Sequence, residues 1–331
     1  MDTKLPLHKS TYIFYYDEGA DVRGGASHRP IRQPPFILEA VRLHLRHGVE
    51  IGMDLRRTPA LLALSSLVFT TAALAQATAP DRETPREIEA HDTVFLEEMT
   101  WLEVRDAMRA GKTTAIIPTG GIEQNGPYLA LGKHNYILRA TTDRIARILG
   151  DALVAPIVPF VPEGNIDPPS GHMLYPGTIS VTEETFRALL TDIASSLKTH
   201  GFLHIFLIGD SGGNQDGMRA VADQLSAAWA DEVASIHYIP EYYDNPLWNQ
   251  WLELHGIQQV DEGLHDDVRH SAIMMTVDPT TVRMEQRMER GLFSINGVAL
   301  APASFTIELG NDLVEYQATI TANAIRMAIG G

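Results

Sequence analysis

From residue 93 onward, short apolar runs alternate along the chain with longer stretches whose apolar residues recur at helical spacing. The short runs predict buried strands and the longer stretches predict amphipathic helices. The predicted strands are 114–118, 153–158, 204–208 and 233–238, and the predicted helices are 97–110, 136–149, 182–199 and 218–229. Ser180 and Glu183 have the spacing of a capping box before the third helix. Because strands and helices alternate, we expect one α/β domain over residues 93–331, with helices covering a mostly parallel sheet.

The chain before residue 93 has a different pattern. An arginine pair, Arg56-Arg57, follows Met53, an uncharged apolar run covers 60–74, and small-x-small sites follow at 73–75 and 75–77. This order predicts a signal peptide over residues 53–77 rather than a transmembrane anchor, since a membrane span needs about 20 apolar residues. We therefore expect residues 1–52 to be a non-native upstream extension and residues 78–92 a flexible lead-in. The exported protein would be periplasmic or secreted, with no membrane contact after cleavage.

Charge and cysteine content narrow the function classes. The net charge is −16 over 331 residues, and the acidity lies after residue 77. Nucleic acids and anionic lipids need clustered Lys and Arg, so neither is expected as a partner. The chain has no cysteine. Disulfides, thiolate nucleophiles and Cys-ligated zinc are thereby excluded, and a metal site must be built from His, Asp and Glu.

Three polar, glycine-rich loops follow the first three predicted strands. Glu123 follows the first strand, the loop 164–177 with His172 follows the second, and Asp210 follows the third. Ligands of parallel α/β sheets bind beyond the carboxyl ends of the strands. We therefore expect these loops to line one shared cleft.

Each candidate cluster also has an ordinary structural explanation. Glu123 and His134 could bind a metal or be surface residues, and Asp210 could be a ligand or cap the next helix. Gly212 and Gly213, beside it, could instead form an anion-binding turn. The late segment His265-Asp-Asp267 with His270 could bind a metal or act as a general base, or it could be an exposed acidic helix start.

The loop motifs resemble those of the creatininase (creatinine amidohydrolase) family. The matching segments are Pro118-Thr-Gly120, Glu123-Gln-Asn-Gly-Pro-Tyr-Leu-Ala130, Gly132-Lys-His134, Gly171-His-Met-Leu-Tyr-Pro-Gly-Thr178, Gly209-Asp-Ser-Gly-Gly-Asn214 and His265-Asp-Asp-Val-Arg-His-Ser271. They follow the family's order over roughly residues 95–280. The resemblance implies an αβα sandwich and a homo-oligomer. It also implies hydrolysis of cyclic or linear amide C–N bonds in a small molecule with a divalent metal pair.

Several metal-ligand positions depart from the family pattern. Glu123 keeps the family's residue type, whereas Asn125, His134, Ser211 and His270 stand where the family has His, Asp, His and Glu. Neutral imidazole has one free lone pair and cannot bridge two metals as a carboxylate does. We therefore predict one metal, zinc or alternatively manganese, bound by Glu123, His134 and one of His265, Asp210 or His270.

The predicted function is metal-dependent hydrolysis of a non-peptide amide. His265, His172 and Asp210 are the predicted catalytic residues, and His265 would transfer the proton to the leaving nitrogen. The predicted substrate-binding residues are Asn125, Tyr128, Ser211, Gly212, Gly213 and Asp266. A lactone or ester hydrolase with the same site, and a metal-free binding protein, are the alternatives.

Overall fold

The computed structural model of the protein describes residues 80–330, which belong to one compact unit. The predicted upstream extension (1–52) and signal peptide (53–77) lie outside the described residues. The helices are α1 Trp101–Arg109, α2 Lys133–Leu149, α3 Glu183–Thr199, α4 Gln215–Ala228, α5 Asn245–Leu254, α6 Val268–Val277, α7 Met284–Glu289 and α8 Ala303–Ala328. The strands are β1 Thr114–Thr119, β2 Ala152–Val154, β3 His204–Gly209, β4 Ser235–Tyr238, β5 Ser294–Ile295 and β6 Val298–Ala299.

The main sheet has four parallel strands in the order β2-β1-β3-β4. All six residues of β1 are buried, as expected for a strand in the middle of a covered parallel sheet. β1 and β3 pair over their whole length, so that Thr119 lies opposite Gly209 at their carboxyl ends. The residues that follow these two strands therefore start from the same level of the sheet.

Side chains of β1 point alternately into two cores, one on each face of the sheet. The fold therefore has three layers, with the sheet between two layers of helices. Ala115 and Ile117 pack in a cluster with α3 and α4, whereas Ile116 packs in a second cluster with α2 and α8. This is the period of two that a strand buried on both faces requires. The predicted α/β class, with a parallel sheet between helical layers, is confirmed.

A third core lies on the C-terminal side of the chain. It joins α6 to the long helix α8 through residues such as Ile273 and Leu313, both fully buried. α8 also packs on α2, so it links the third core to the sheet. None of the helices in the described part of the chain is long and apolar enough to cross a membrane.

Several element starts differ from the prediction by one to four residues, those of α2 and α3 among them. α2 begins at Lys133, three residues before the predicted start at Tyr136, which places His134 in the helix's first turn. α3 is capped by Thr182, whose side chain accepts from the backbone N–H of Thr185, and not by Ser180. The Ser180 hydroxyl instead donates to the carbonyl of Gly164, because this serine closes the loop before the helix.

The part of the predicted lead-in that is described, residues 80–92, contains no helix or strand. It lies against α1: Arg105 donates to the carbonyls of Arg82 and Thr84, and Arg86 pairs with Asp106 at 3.2 Å. These contacts hold the segment on the helix. The predicted flexibility of residues 78–92 stays a prediction.

Candidate active site

Four charged side chains meet beyond the carboxyl ends of β1 and β3. Glu123 comes from the loop after β1, Asp210 follows β3 directly, and Lys133 and His134 come from the first turn of α2. All four are at most 3% exposed. Buried charges require partners, so the contacts among these four residues decide what the site can do.

His134 lies between the two carboxylates. Its Nε2 is 2.6 Å from Oε1 of Glu123, and its Nδ1 is 2.7 Å from Oδ2 of Asp210. Burial and the Lys133 ammonium both oppose protonation of His134, but the hydrogen bonds and charges of the carboxylates outweigh them and raise its pKa. In this arrangement both ring nitrogens donate. His134 therefore offers no lone pair to a metal.

The two carboxylates are ionised in this arrangement. Burial opposes ionisation of Glu123, but the hydrogen bond from His134 and the charges of His134 and Lys133 hold its pKa well below its usual range. Asp210 is likewise buried, and His134 again lowers its pKa by hydrogen bonding and charge. The phenol of Tyr242 also lies beside Asp210. Its hydroxyl shares a hydrogen bond of 2.8 Å with the hydroxyl of Thr141. Asp210 is thus held by protein groups on both sides.

Lys133 is the residue of this group that the sequence did not single out as functional. Its Nζ lies 3.4 Å from Oε1 of Glu123, and the side chain is 2% exposed. A fully buried lysine is rare unless it is paired. The sequence signal for Lys133 is its place next to His134 in the first turn of a helix. The helix was predicted to begin at Tyr136, after both residues, so this signal was missed.

A second group, which we call the open cluster, consists of Glu123, His172 and His265. One ligand atom of each lies within 4.8 Å of those of the other two. Nε2 of His172 is 3.2 Å from Oε2 of Glu123, and the two imidazole rings are 4.3 Å apart between centroids. The histidine side chains are 28% and 41% exposed, whereas Glu123 is 2% exposed. The cluster therefore has a buried carboxylate at its base and faces solvent on the histidine side.

Both histidines of the open cluster are neutral near pH 7. Burial lowers the pKa of His172, and burial together with the nearby Lys133 charge lowers that of His265. Nδ1 of His265 is 2.9 Å from the carbonyl oxygen of Gln124, so this nitrogen carries the proton and Nε2 is left free. Neutral imidazoles with a free nitrogen are the form that binds metals.

The loop that carries His172 is held by its own hydrogen bonds. The backbone N–H of His172 donates to the carbonyl of Glu163, and that of Ser170 donates to the carbonyl of Asn165, both at 3.1 Å. The N–H of Asn165 donates in return to the Ser170 hydroxyl at 2.9 Å. A loop closed by these hydrogen bonds therefore positions His172.

His270 is close to the site but has no free nitrogen. Its Nδ1 is 2.8 Å from Oδ2 of Asp267, and its Nε2 is 2.5 Å from Nη2 of Arg269. Nε2 is also 4.0 Å from Oδ2 of Asp210, too far for a hydrogen bond. Burial lowers the pKa of His270 to about 4, against the opposing charge of Asp267. Its predicted role as a metal ligand stays a prediction that this geometry does not favour.

Glu163 is a functional candidate that the sequence analysis did not name. Burial, followed by the charge of Glu123, raises the pKa of Glu163 to about 10, so it is a protonated acid beside an ionised one. Its Oε1 has no hydrogen-bond partner in the structure. A Cβ on Gly121 would lie 2.2 Å from this oxygen, so the glycine makes room for the carboxyl group. Glu163 lies one residue before the loop 164–177 that was predicted to line the cleft.

The predicted substrate-binding residues are distributed unevenly around the cluster. Asn125 is fully buried, and its amide donates to the carbonyls of Glu123 and Ala130, which closes the loop after β1. Tyr128 and Asp266 lie further along the same side, next to Arg287. Their roles stay predictions.

The turn after β3 is fixed by its neighbours. Asn214 donates to the carbonyl of Gly120 at 2.8 Å, which ties the turn to the end of β1. A Cβ on Gly213 would lie 2.6 Å from the carbonyl oxygen of Pro162, so this position requires glycine. Ser211 is 6% exposed and Gly212 lies under Tyr243. The predicted roles of Ser211, Gly212 and Gly213 toward substrate stay predictions.

The open cluster has the donor types of a divalent-metal site. One carboxylate oxygen and two neutral imidazole nitrogens are a common donor set for catalytic zinc, which leaves a position for water. The donors come from three separate loops, and the neighbouring protein cations Lys133 and His134 contact Oε1 of Glu123, whereas Oε2 faces His172. His172 was predicted as a catalytic residue, and its place in this donor set is a role that sequence spacing could not show.

Comparison with known proteins identifies one family. The creatininase family model, described as creatinine amidohydrolase, matches residues 97–325. A creatinine amidohydrolase of Pseudomonas putida is 28% identical over 201 residues, which cover 59% of this chain and 75% of that protein.

Two solved structures share the fold. A structure described as creatininase Mn has a TM-score of 0.54 and 21% identity, and covers 72% of this chain and 100% of its own. A mutant creatininase of the Zn-Zn type has a TM-score of 0.52 and 22% identity, and covers 73% of this chain and 100% of its own. The match of the family model over most of the described residues is the stronger finding, and it confirms the enzyme class expected from the sequence, a metal-dependent amidohydrolase. The chain belongs to the creatininase family.

Proposed function

We propose that this protein hydrolyses a non-peptide amide, cyclic or linear, in a small molecule, with one divalent metal held by Glu123, His172 and His265. The observation that carries the proposal is the open cluster, in which three ligand atoms lie within 4.8 Å of one another. An anionic carboxylate and two neutral imidazoles are presented on the solvent side of a buried charge network.

Two protein cations near Glu123 argue for one bound metal ion rather than two. A similar structure is of the Zn-Zn type. In this chain Lys133 lies 3.4 Å from Glu123, and His134 is held between Glu123 and Asp210 at 2.6 and 2.7 Å. A second divalent ion next to these cations would be repelled, and His134, which donates from both ring nitrogens, has no lone pair for it. Zinc is our first choice and manganese the second, because imidazole nitrogen suits zinc better than manganese.

In this proposal the metal would polarise the scissile carbonyl and make its bound water more acidic. His134 fixes the orientation of Glu123 by donating to Oε1, and Asp210 fixes His134 in turn. This hydrogen-bond chain keeps the carboxylate ionised and turned so that Oε2 faces His172. Lys133 adds a second positive charge 3.4 Å from Oε1, on the buried side of Glu123.

His265 cannot hold a metal and move a proton with the same nitrogen. Nδ1 lies 3.7 Å from Oε1 of Glu123 and donates to the carbonyl of Gln124, so Nε2 is the free nitrogen, and we assign it to the metal. This replaces the predicted transfer of a proton from His265 to the leaving nitrogen. Asp210, the third predicted catalytic residue, would act through His134 rather than on the substrate.

A homo-oligomer remains part of the proposal. Phe160, Leu174 and Tyr175, on the loop beside the cluster, are 47%, 50% and 52% exposed. Light scattering of the purified protein after size-exclusion chromatography measures the state, and a monomer at working concentration would contradict it.

Metal content and turnover test the proposed function together. The purified protein is stripped with a chelator, titrated with Zn²⁺ or Mn²⁺ in a calorimeter, and assayed against creatinine and other cyclic and linear amides. We expect one ion per chain and turnover that returns with the ion. His172→Ala should lower both, whereas the control His255→Ala, in an exposed histidine after α5, should lower neither.

Other outcomes separate the alternatives. Two ions per chain would overturn the single-metal site. Hydrolysis of lactones or esters without amides would indicate the alternative hydrolase. No bound ion and no turnover would leave a binding protein.

A further inference from the structure

His265 lies on a connection that has no regular structure of its own. Residues 255–267 join α5 to α6 and contain no helix or strand. His265 has a φ of +62°, in the left-handed region that residues other than glycine rarely adopt. Such a conformation costs free energy and persists only where neighbouring groups fix it. The hydrogen bonds of this connection therefore show what holds the imidazole in place.

One residue, Asn296, holds the backbone on both sides of His265. Its Oδ1 accepts from the N–H of Glu262, and its Nδ2 donates to the carbonyl of Asp266, both at 3.0 Å. The backbone carbonyl of Asn296 also accepts from the N–H of Val260 at 2.9 Å. Asn296 is 5% exposed, which shields these bonds from water. We call the three hydrogen bonds the Asn296 clip.

The place of Asn296 in the chain explains why it is an asparagine. Asn296 and Gly297 form the two-residue loop between β5 and β6, and both have a positive φ, +51° and +78°. Hairpin loops of this kind favour Asn-Gly, Asp-Gly or Gly-Gly. Among the residues favoured at the first position, only asparagine carries an N–H donor and a carbonyl acceptor side by side. The turn and the clip therefore require the same residue.

The β5–β6 hairpin is a firm base for the clip. Ile295, next to Asn296, is 1% exposed in the third core. The buried Arg287 donates to the carbonyls of Leu292 and Ser294 at 3.0 and 2.8 Å, which fixes the start of the hairpin. The clip thereby ties the connection between α5 and α6 to the packed core.

The imidazole of His265 is held by a different loop. Its Nδ1 donates to the carbonyl of Gln124 at 2.9 Å, which leaves Nε2 as the nitrogen without a proton. A Cβ on Gly126 would lie 3.1 Å from the carbonyl oxygen of Leu264, so the connection packs directly on the loop that carries Glu123. The clip fixes the backbone of His265, and Gln124 fixes its ring.

We propose that Asn296 is a positioning residue for His265: the clip holds the backbone so that Nδ1 meets Gln124 and Nε2 is left for the metal. This inference rests on the proposed function and deepens it, because it names a residue outside the open cluster on which the site depends. Asn296 itself would touch neither metal nor substrate. Replacing a residue that orients a metal ligand in this way typically lowers metal affinity about 10- to 100-fold.

The first test observes the His265 ring in the metal-free protein. Long-range heteronuclear NMR spectra at pH 8, assigned with His265→Ala, show which ring nitrogen carries the proton. We expect the Nδ1–H form in the wild type. Asn296→Gly accepts the positive φ but lacks both side-chain hydrogen bonds, and it should shift the ring toward the Nε2–H form that free imidazole side chains prefer in water.

A second variant guards this test against a loosened hairpin. Asn296→Asp also accepts the positive φ and keeps an acceptor for Glu262, but it has no N–H for Asp266. It should shift the His265 ring as well. A ring that stays in the Nδ1–H form in both variants would overturn the proposal.

The second test measures the coupling between the two residues. Zn²⁺ is titrated into the stripped protein in a calorimeter. We expect Asn296→Gly to weaken Zn²⁺ binding ~10- to 100-fold in the wild type. In the His265→Ala background it should have little further effect, because the ligand that Asn296 positions is missing. Equal weakening in both backgrounds would show general destabilisation and overturn the proposal.

Gly297→Asn is the matched control, one residue further in the same turn. A Cβ at this position would meet nothing within 4 Å, and asparagine accepts the positive φ. The variant leaves the clip intact, so we expect an unchanged His265 ring and unchanged Zn²⁺ affinity.

The two tests separate this inference from the proposed function. A wild type that binds no Zn²⁺ would refute the proposed metal site, while the NMR measurement would still decide whether Asn296 positions His265. A shifted ring with unchanged Zn²⁺ affinity would leave the metal site in place and overturn the role of Asn296 in it.

Discussion

Glu123 connects two regions that contain the same residue types and differ in what those residues can still do. On the solvent side, His172 and His265 are partly exposed and neutral, and each has a free nitrogen. On the buried side, His134 and His270 are held by carboxylates and a guanidinium, with every ring nitrogen in use. We call this second region the closed network.

The difference shows that residue type alone does not make a metal ligand. A histidine that already donates from both nitrogens has nothing left to coordinate with, however close it lies. The closed network instead stabilises the charge and orientation of the carboxylate that the open cluster needs. Predictions that separate the two regions therefore test the proposed site directly.

The largest effect is expected from Glu123→Gln, because Glu123 belongs to both regions. Removing its charge leaves Lys133 and His134 buried without their shared partner, which should lower the free energy of unfolding by about 3–5 kcal/mol. The variant should also lose metal binding. Chemical denaturation and metal titration measure the two effects, with the exposed Glu97→Gln as control. A variant that keeps its metal would show that Glu123 is not a ligand.

A smaller but more discriminating effect is expected from two histidine variants. His134→Gln should lower the free energy of unfolding by about 3 kcal/mol, because it removes a buried cation between two carboxylates. Metal should still bind, with reduced affinity. His172→Ala should change stability by about 0.5 kcal/mol or less, as is usual for partly exposed residues, and should lose most of its metal affinity. If His134→Gln loses the metal and His172→Ala keeps it, the assignment of the two regions is reversed.

The smallest effect is a gain in stability that depends on pH. Glu163 has a pKa of about 10 against an ordinary value of 4.5, so its contribution is present below pH 4.5 and is lost as the pH rises toward 10. Glu163→Gln is neutral at every pH and keeps a donor for Glu123. In the metal-free protein it should raise the free energy of unfolding at pH 8 and change it little at pH 4.5. An equal change at both pH values would show that ionisation of Glu163 plays no part.

The layered fold could be predicted from the sequence because the spacing of apolar residues follows which face of each strand or helix is buried. The six buried residues of β1 and the amphipathic faces of α2 and α3 each show their period over a short window. The start of α2 could not be placed, since Gly132-Lys-His134 carries no apolar period and no capping side chain.

The candidate site was predicted by residue type and strand position, but not by role. Glu123, Asp210 and His172 do lie at one edge of the sheet. Whether each is free or already bonded depends on contacts between residues far apart in the chain, such as 76 positions for His134 and Asp210.

The closed loop from Glu163 to His172 gives the site a way to vary. The hydrogen bonds between Glu163 and His172, and between Asn165 and Ser170, hold both ends of the loop without using residues 166–169. Lengthening a loop whose ends are already fixed costs little entropy. Insertions at this tip could enlarge the rim of the cleft while His172 stays in place, so relatives could diverge in substrate size through this segment without rebuilding the metal site.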